Sequence, residues 1–204
     1  MKTTVKKIAL LFLFGALILS CTPATSPANP PPSTLACSSA NTSFQQLYAN
    51  MLTIPNYLNA VSYDTEVHEY QFKMNANVSI CSIGYQSQTA IASVPYKMEI
   101  LDASNVVLYS GNLIFSSATT SYVPITPVPI VAGQIYTMRR TMPLAAAGGN
   151  FGNVIGRLVI LPGALTSFPQ TFGAMTITGS SFYQQVASGS PLTNRGVPFI
   201  DFSY

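Results

Sequence analysis

The chain is 204 residues long and only 7% of it is charged, with nine Lys and Arg against six Asp and Glu. The surplus lies in Lys2, Lys6 and Lys7; beyond them Lys73, Lys97, Arg139, Arg140, Arg157 and Arg195 are matched by Asp64, Glu66, Glu69, Glu99, Asp102 and Asp201. A body near neutrality has no basic surface for neutralising phosphates, which excludes nucleic acid as an expected partner, and a chain that is 48% hydrophobic is too apolar for a disordered body.

The N-terminus reads MKTTVKKIALLFLFGALILSC. After its three lysines, Ile8 to Leu19 carries no charge. That run is shorter than the roughly 20 residues of a spanning helix and has the length of a signal-peptide core. An ordinary secretory signal is the plain reading. The residues Ile18-Leu19-Ser20-Cys21 also resemble the lipobox of bacterial lipoprotein signal peptides, with a branched aliphatic three positions before the cysteine and a small residue next to it. Leu19 is bulkier than the usual residue at its position. The resemblance implies a signal peptide over 1–20, cleavage between Ser20 and Cys21, and a diacylglyceryl anchor on Cys21 that holds the chain to a lipid bilayer. Thr22, where Asp would retain the protein, implies by the same resemblance the outer membrane of a Gram-negative bacterium.

Residues 21–40 then form a lipidated Cys and a Pro-rich linker. Five prolines fall between Thr22 and Ser39, and Pro30-Pro31-Pro32 favours an extended spacer. The stretch 41–204 suits a single domain. Its first element is a short helix over Asn41 to Leu52, where Phe44, Leu47, Tyr48, Met51 and Leu52 recur at helical spacing. Thr42 or Ser43 supplies the cap and Pro55 the stop.

Strands follow. Tyr70, Phe72 and Met74 alternate with polar residues, as do Tyr96, Met98 and Ile100 against Lys97 and Glu99. VSICSIGY, NVVLYSGNLIF, TSYVPI, QIYTMRRT, GRLVIL, AMTITG and VPFIDFSY continue the series, with the turn-like DASN between two of them. Short strands with frequent Pro and Gly, and no strand–helix alternation, predict an all-β antiparallel sandwich or barrel. Gly133 followed by Tyr136 at a strand entrance resembles a tyrosine corner, whose hydroxyl bonds backbone a few residues upstream; a plain buried Tyr is the alternative.

From Glu69 to Tyr204, the segments YQF, CSIGYQS, YKMEILDASNVVLYSG, AGQIYTMRR and PFIDFSY resemble, in their order, a loosely defined group of bacterial extracellular Ig-like sandwich domains. The resemblance implies an Ig-like antiparallel β-sandwich. Leu101-Asp102 stands where that group has Leu-Trp-Asp, and no functional residue carries over.

Chemistry is sparse. Cys37 and Cys81 remain once Cys21 is lipidated, and outside the cytoplasm such a pair oxidises to a disulfide; two free thiols are the alternative. Asp64, Glu66 and His68 share one face if their segment is extended, which suits a cation. One strand supplies too few ligands, and no metal motif is matched, so no cofactor is expected. With one histidine and no G-x-S-x-G, hydrolytic catalysis is not expected either. The Gly- and Ala-rich loop from Met142 to Gly156 is the candidate ligand-binding element, with Asn150 and Phe151 at its centre and Arg139, Arg140 and Arg157 at its flanks; a passive hairpin is the alternative. These features predict a membrane-anchored lipoprotein whose non-catalytic sandwich binds a cell-surface protein or glycan. A structural part in an envelope assembly and a metal-dependent enzyme are the other readings.

Overall fold

A computed structural model describes residues 37–62, 65–142, 156–183 and 190–204. The signal peptide, Cys21, most of the linker, Asp64, Asn150 and Phe151 lie outside them.

Helix α1, Ser43–Met51, begins where capping chemistry places it. Thr42 Oγ accepts from the Gln45 N–H at 3.0 Å, which satisfies one of the orphan donors of the first turn. Phe44, Leu47, Tyr48 and Met51 form its buried stripe. The strands in chain order are β1 Leu58–Ser62, β2 Val67–Met74, β3 Val78–Tyr85, β4 Tyr96–Asp102, β5 Val107–Leu113, β6 Ser121–Ile130, β7 Tyr136–Thr141, β8 Gly156–Ile160, β9 Gln170–Phe172, β10 Met175–Tyr183, β11 Leu192–Thr193, β12 Val197–Pro198 and β13 Asp201–Ser203.

All pairings among them are antiparallel. The largest sheet runs β11–β10–β2–β7–β4–β5, with β9 also on β10. A second sheet runs β13–β3–β6 and a third β1–β8–β12. The fold is thus all-β and sandwich-like with one short helix, as the alternation of Tyr96, Met98 and Ile100 requires: all three are fully buried. Rings join the layers. Phe72 of β2 meets Phe202 of β13 at 5.0 Å, and Tyr96 of β4 meets Tyr85 of β3 at 5.2 Å. Each buried aromatic removes a large apolar area from water at about 25 cal/mol per Å².

Two local expectations are met in detail. The Tyr136 hydroxyl accepts from the Val131 N–H at 2.9 Å, and Gly133 between them has φ +75°, the tyrosine-corner arrangement. In the DASN turn, Asp102 Oδ1 accepts from the N–H groups of Ser104 and Val106 while Asn105 takes φ 63°. The closing VPFIDFSY departs from a single strand: it divides into β12 and β13, which belong to different sheets. The Phe199 N–H still extends the β12–β8 pairing to the Arg157 carbonyl at 2.8 Å, and the break falls after it, where the Ile200 N–H turns back to the Pro198 carbonyl at 3.0 Å.

The disulfide joins Cys37 to Cys81, with Cα atoms 6.0 Å apart, inside the range that a bridge spans. It ties the chain before α1 to a β-bulge in β3. Beside it the Ser203 hydroxyl lies 2.9 Å from the Cys37 sulfur and bonds the Ser82 hydroxyl. The segment 37–45 is thereby laid over the face of β3 and β13 opposite Phe202.

A buried carboxylate completes that attachment. Asp201 is fully buried, and its oxygens accept from the Thr42 hydroxyl at 2.7 Å, the Gln45 amide at 2.9 Å, the Phe202 N–H at 2.7 Å and the Tyr122 hydroxyl. Tyr122 of β6 reaches it across β3 because the residue between them in register is Gly84. A Cβ at Gly84 would stand 2.5 Å from the Tyr122 ring. Burial raises the Asp201 pKa above its ordinary value of 3.8, opposed by these hydrogen bonds. Burial and the bond to Asp201 push the Tyr122 phenol well above its usual range, so it stays a donor.

Candidate functional site

Strand register gathers a polar cluster on the outer face of the largest sheet. Glu99 of β4, Arg139 of β7, Glu69 of β2 and Ser181 of β10 are successive cross-strand partners. The next rung on the same face holds Lys97, Thr141, Val67 and Tyr183. Opposite charges on adjacent strands attract within one face. Arg139 Nε donates to Glu69 Oε2 at 2.6 Å, and Lys97 Nζ lies 2.6 Å from Glu99 Oε1. The Tyr183 hydroxyl reaches the other Glu69 oxygen at 3.5 Å.

Val67, Lys97, Glu99, Arg139, Thr141 and Tyr183, with Glu66, line a cavity of about 460 Å³. That lies toward the lower end of the roughly 300–1,000 Å³ of small-molecule sites. Of its charged lining groups Glu99 is the more buried, its side chain 7% exposed against 26% for Arg139 and 51% for Lys97, while Glu69, 8% exposed, supports the site through its bond to Arg139. Among the described residues, Arg139 spends only Nε on Glu69, and its terminal nitrogens make no hydrogen bond. Glu99 likewise engages Lys97 through one oxygen. The cavity therefore offers donors and an acceptor while its Arg and Lys are already ion-paired.

The residues singled out from sequence distribute differently. Arg139 and Arg140 are neighbours in β7 and so point to opposite faces. Arg140 is a correction to the loop-flank expectation. It is fully buried under the rings of Tyr85 and Tyr96, 5.6 and 5.7 Å from their centroids, and donates to the Thr65 carbonyl at 3.0 Å. Arg157 belongs to the third sheet, stacked 4.1 Å over Phe199 and bonded to Thr120 Oγ at 2.8 Å. The three arginines do not converge.

Glu66 and His68 also separate. Glu66 lines the cavity, whereas His68 is buried on the core side, edge-on to Phe182 at 5.0 Å. A bend at Glu66 ends the extended alternation that would have kept them on one face. Among the described residues no three His, Cys, Asp or Glu side chains group to hold a metal. Sequence reasoning missed Glu69, Glu99, Thr141 and Tyr183 as site residues. The outward Lys97 and Glu99 were the available signal, but their neighbours come from strands far apart in the chain.

Similarity to known proteins adds no assignment: no protein-family model matches this chain, and no curated protein matches it in sequence.

Proposed function

We propose that this chain is a lipid-anchored envelope protein whose non-catalytic domain binds the end of a neutral glycan in the cavity around Arg139. One observation carries the binding half: unspent donors on Arg139 and an unspent acceptor on Glu99 in a concave site whose two cations are already neutralised. A charged ligand would compete with existing ion pairs. A hydroxyl-rich ring accepts from Arg139, donates to Glu99 and lays its C–H face against Tyr183. The non-catalytic reading is supported by His68, which sits on the other side of the sheet from Glu69 and Glu99.

A glycan array probed with the protein tests this. Binding to one glycan class is expected, and Arg139→Gln should weaken it by about 10- to 100-fold, the value of a charge-assisted hydrogen bond. A blank array, retained binding in Arg139→Gln, or turnover of the bound glycan would each defeat part of the reading. The unfolding midpoint of the variant serves as the control for folding.

The anchoring half rests on the order of lysines, apolar run and Ile-Leu-Ser-Cys at the N-terminus. Cys21→Ala should leave a full-length, unacylated precursor, seen as slower gel migration and loss of label from a fatty-acid probe. Normal processing of that variant would refute the anchor. Outer-membrane residence, proposed from Thr22, is checked by density fractionation of the envelope.

A further inference from the structure

The outward positions of β2 are Val67, Glu69, Gln71 and Lys73, and those of β7 are Thr137, Arg139 and Thr141. Val67 is the one aliphatic side chain among them. Itself buried, it lines the cavity around Arg139, and its cross-strand partners are Thr141 and Tyr183. A polar sheet face thus carries one aliphatic wall, and that wall stands inside the concave site.

Register also fixes what lies beside the wall. Val67 pairs with Thr141 and Glu69 with Arg139, so Arg139 and Val67 are diagonal neighbours. Such positions are about 7–8 Å apart, within reach of a long side chain. The terminal nitrogens of Arg139 are donors. A ligand group that serves both residues therefore carries an acceptor oxygen and a methyl on one atom or on adjacent ones. A bare hydroxyl does not: pressed against Val67 it loses its bond to water and gains no partner.

We infer, resting on the glycan reading of this cavity, that its sugar is N-acetylated: a terminal N-acetylhexosamine recognised through its acetamido group. The acetamido carbon bears both features, a carbonyl oxygen that accepts from Arg139 and a methyl that packs on Val67. A ring hydroxyl donates to the Glu99 oxygen that Lys97 leaves unengaged, and the C–H face of the ring stays on Tyr183. The group is uncharged, so the Arg139–Glu69 and Lys97–Glu99 pairs are kept. A free amino sugar would lack the methyl and bring another cation beside Lys97 and Arg139. Val67 is thereby the residue that sets specificity, while Arg139 and Glu99 hold the sugar.

Calorimetric titration of the full chain in detergent compares methyl glycosides of N-acetylglucosamine and N-acetylgalactosamine with those of glucose, galactose, glucosamine and fucose. At least one N-acetylated glycoside should bind about tenfold or more tightly than its parent hexoside, since a single methylene in an apolar pocket is worth about 10- to 200-fold. Val67→Thr, which keeps the shape but puts a hydroxyl in the wall, should reduce that preference about tenfold and change binding of the parent hexoside little. Val67→Ala should reduce the preference as well, with the unfolding midpoint of each variant as the control for folding. Equal binding of the parent hexoside, tighter binding of the glucosamine or fucose glycoside, or a preference unchanged in both variants would overturn the inference and leave a glycan site of other specificity. Binding of none of the sugars, or binding insensitive to Arg139→Gln, would overturn the glycan reading and this inference together.

Discussion

Asp201→Ala is expected to lower the free energy of unfolding by about 3 kcal/mol, because it strands the Tyr122, Thr42 and Gln45 donors around one buried acceptor. The loss is structural and local: α1 is capped by the same Thr42 that bonds Asp201, so its first turn should fray as well. Amide exchange at Gln45 and Gln46 would report that fraying beside a denaturant titration of global stability. Gly84→Ala should produce a smaller effect of the same kind by pushing the Tyr122 ring off its path to Asp201. Unchanged stability in both variants would remove the network from the account of the fold.

The same carboxylate gives a pH signature. Its folded pKa lies above the ordinary 3.8, chiefly through burial. As pH rises past that value, the unfolded chain loses the proton first, and the native state binds more protons than the unfolded. Stability from this group is therefore full at low pH and falls as pH rises to the folded pKa, then levels. Asp201→Asn cannot titrate. The unfolding free energy of the wild type minus that of Asp201→Asn should fall from about pH 4 upward. A difference that grows with pH would contradict the burial argument.

Removing the Cys37–Cys81 bridge is the second large perturbation. The closed loop spans a separation of 44 residues, worth about 4 kcal/mol in the chain-entropy model. Cys37→Ala with Cys81→Ala should cost about 2–4 kcal/mol, the lower figure applying if Asp201 and Ser203 still hold the segment. The two effects share one attachment, so the bridge and Asp201 variants should combine non-additively. Urea titration of single and combined variants measures this; simple addition would show two independent attachments. Thiol titration of the oxidised wild type should find neither Cys37 nor Cys81 free.

Much of the architecture was legible locally. The helical spacing of Phe44, Leu47, Tyr48 and Met51 is an amphipathic stripe before any partner is known. The limits of β3 and β4 coincide with VSICSIGY and YKMEILD, because the branched residues of the one and the alternation of the other are properties of each segment alone. The corner at Tyr136 was readable because donor and acceptor lie five residues apart. The strands that escaped notice, β1, β9 and β11, are short, and LNAVS, QTF and LT carry too few residues for a period to emerge.

The candidate site was not legible, and Arg139 and Arg140 show why. Both looked like flanks of one loop, yet a strand sends neighbours to opposite faces, one to the cavity and one beneath Tyr85 and Tyr96. Which face is the core is decided by the whole sheet and not by the two residues. The sequence by itself determined the all-β class, the capped helix, the neutral body and a cysteine pair suited to a bridge, because propensity, periodicity and composition act over a few residues. Tertiary structure alone decided that Glu99, Arg139, Glu69 and Tyr183 share a face and that Gly84 clears a path from Tyr122 to Asp201. Those meetings depend on register between strands far apart in the chain, set by burying one face of each strand against a common core.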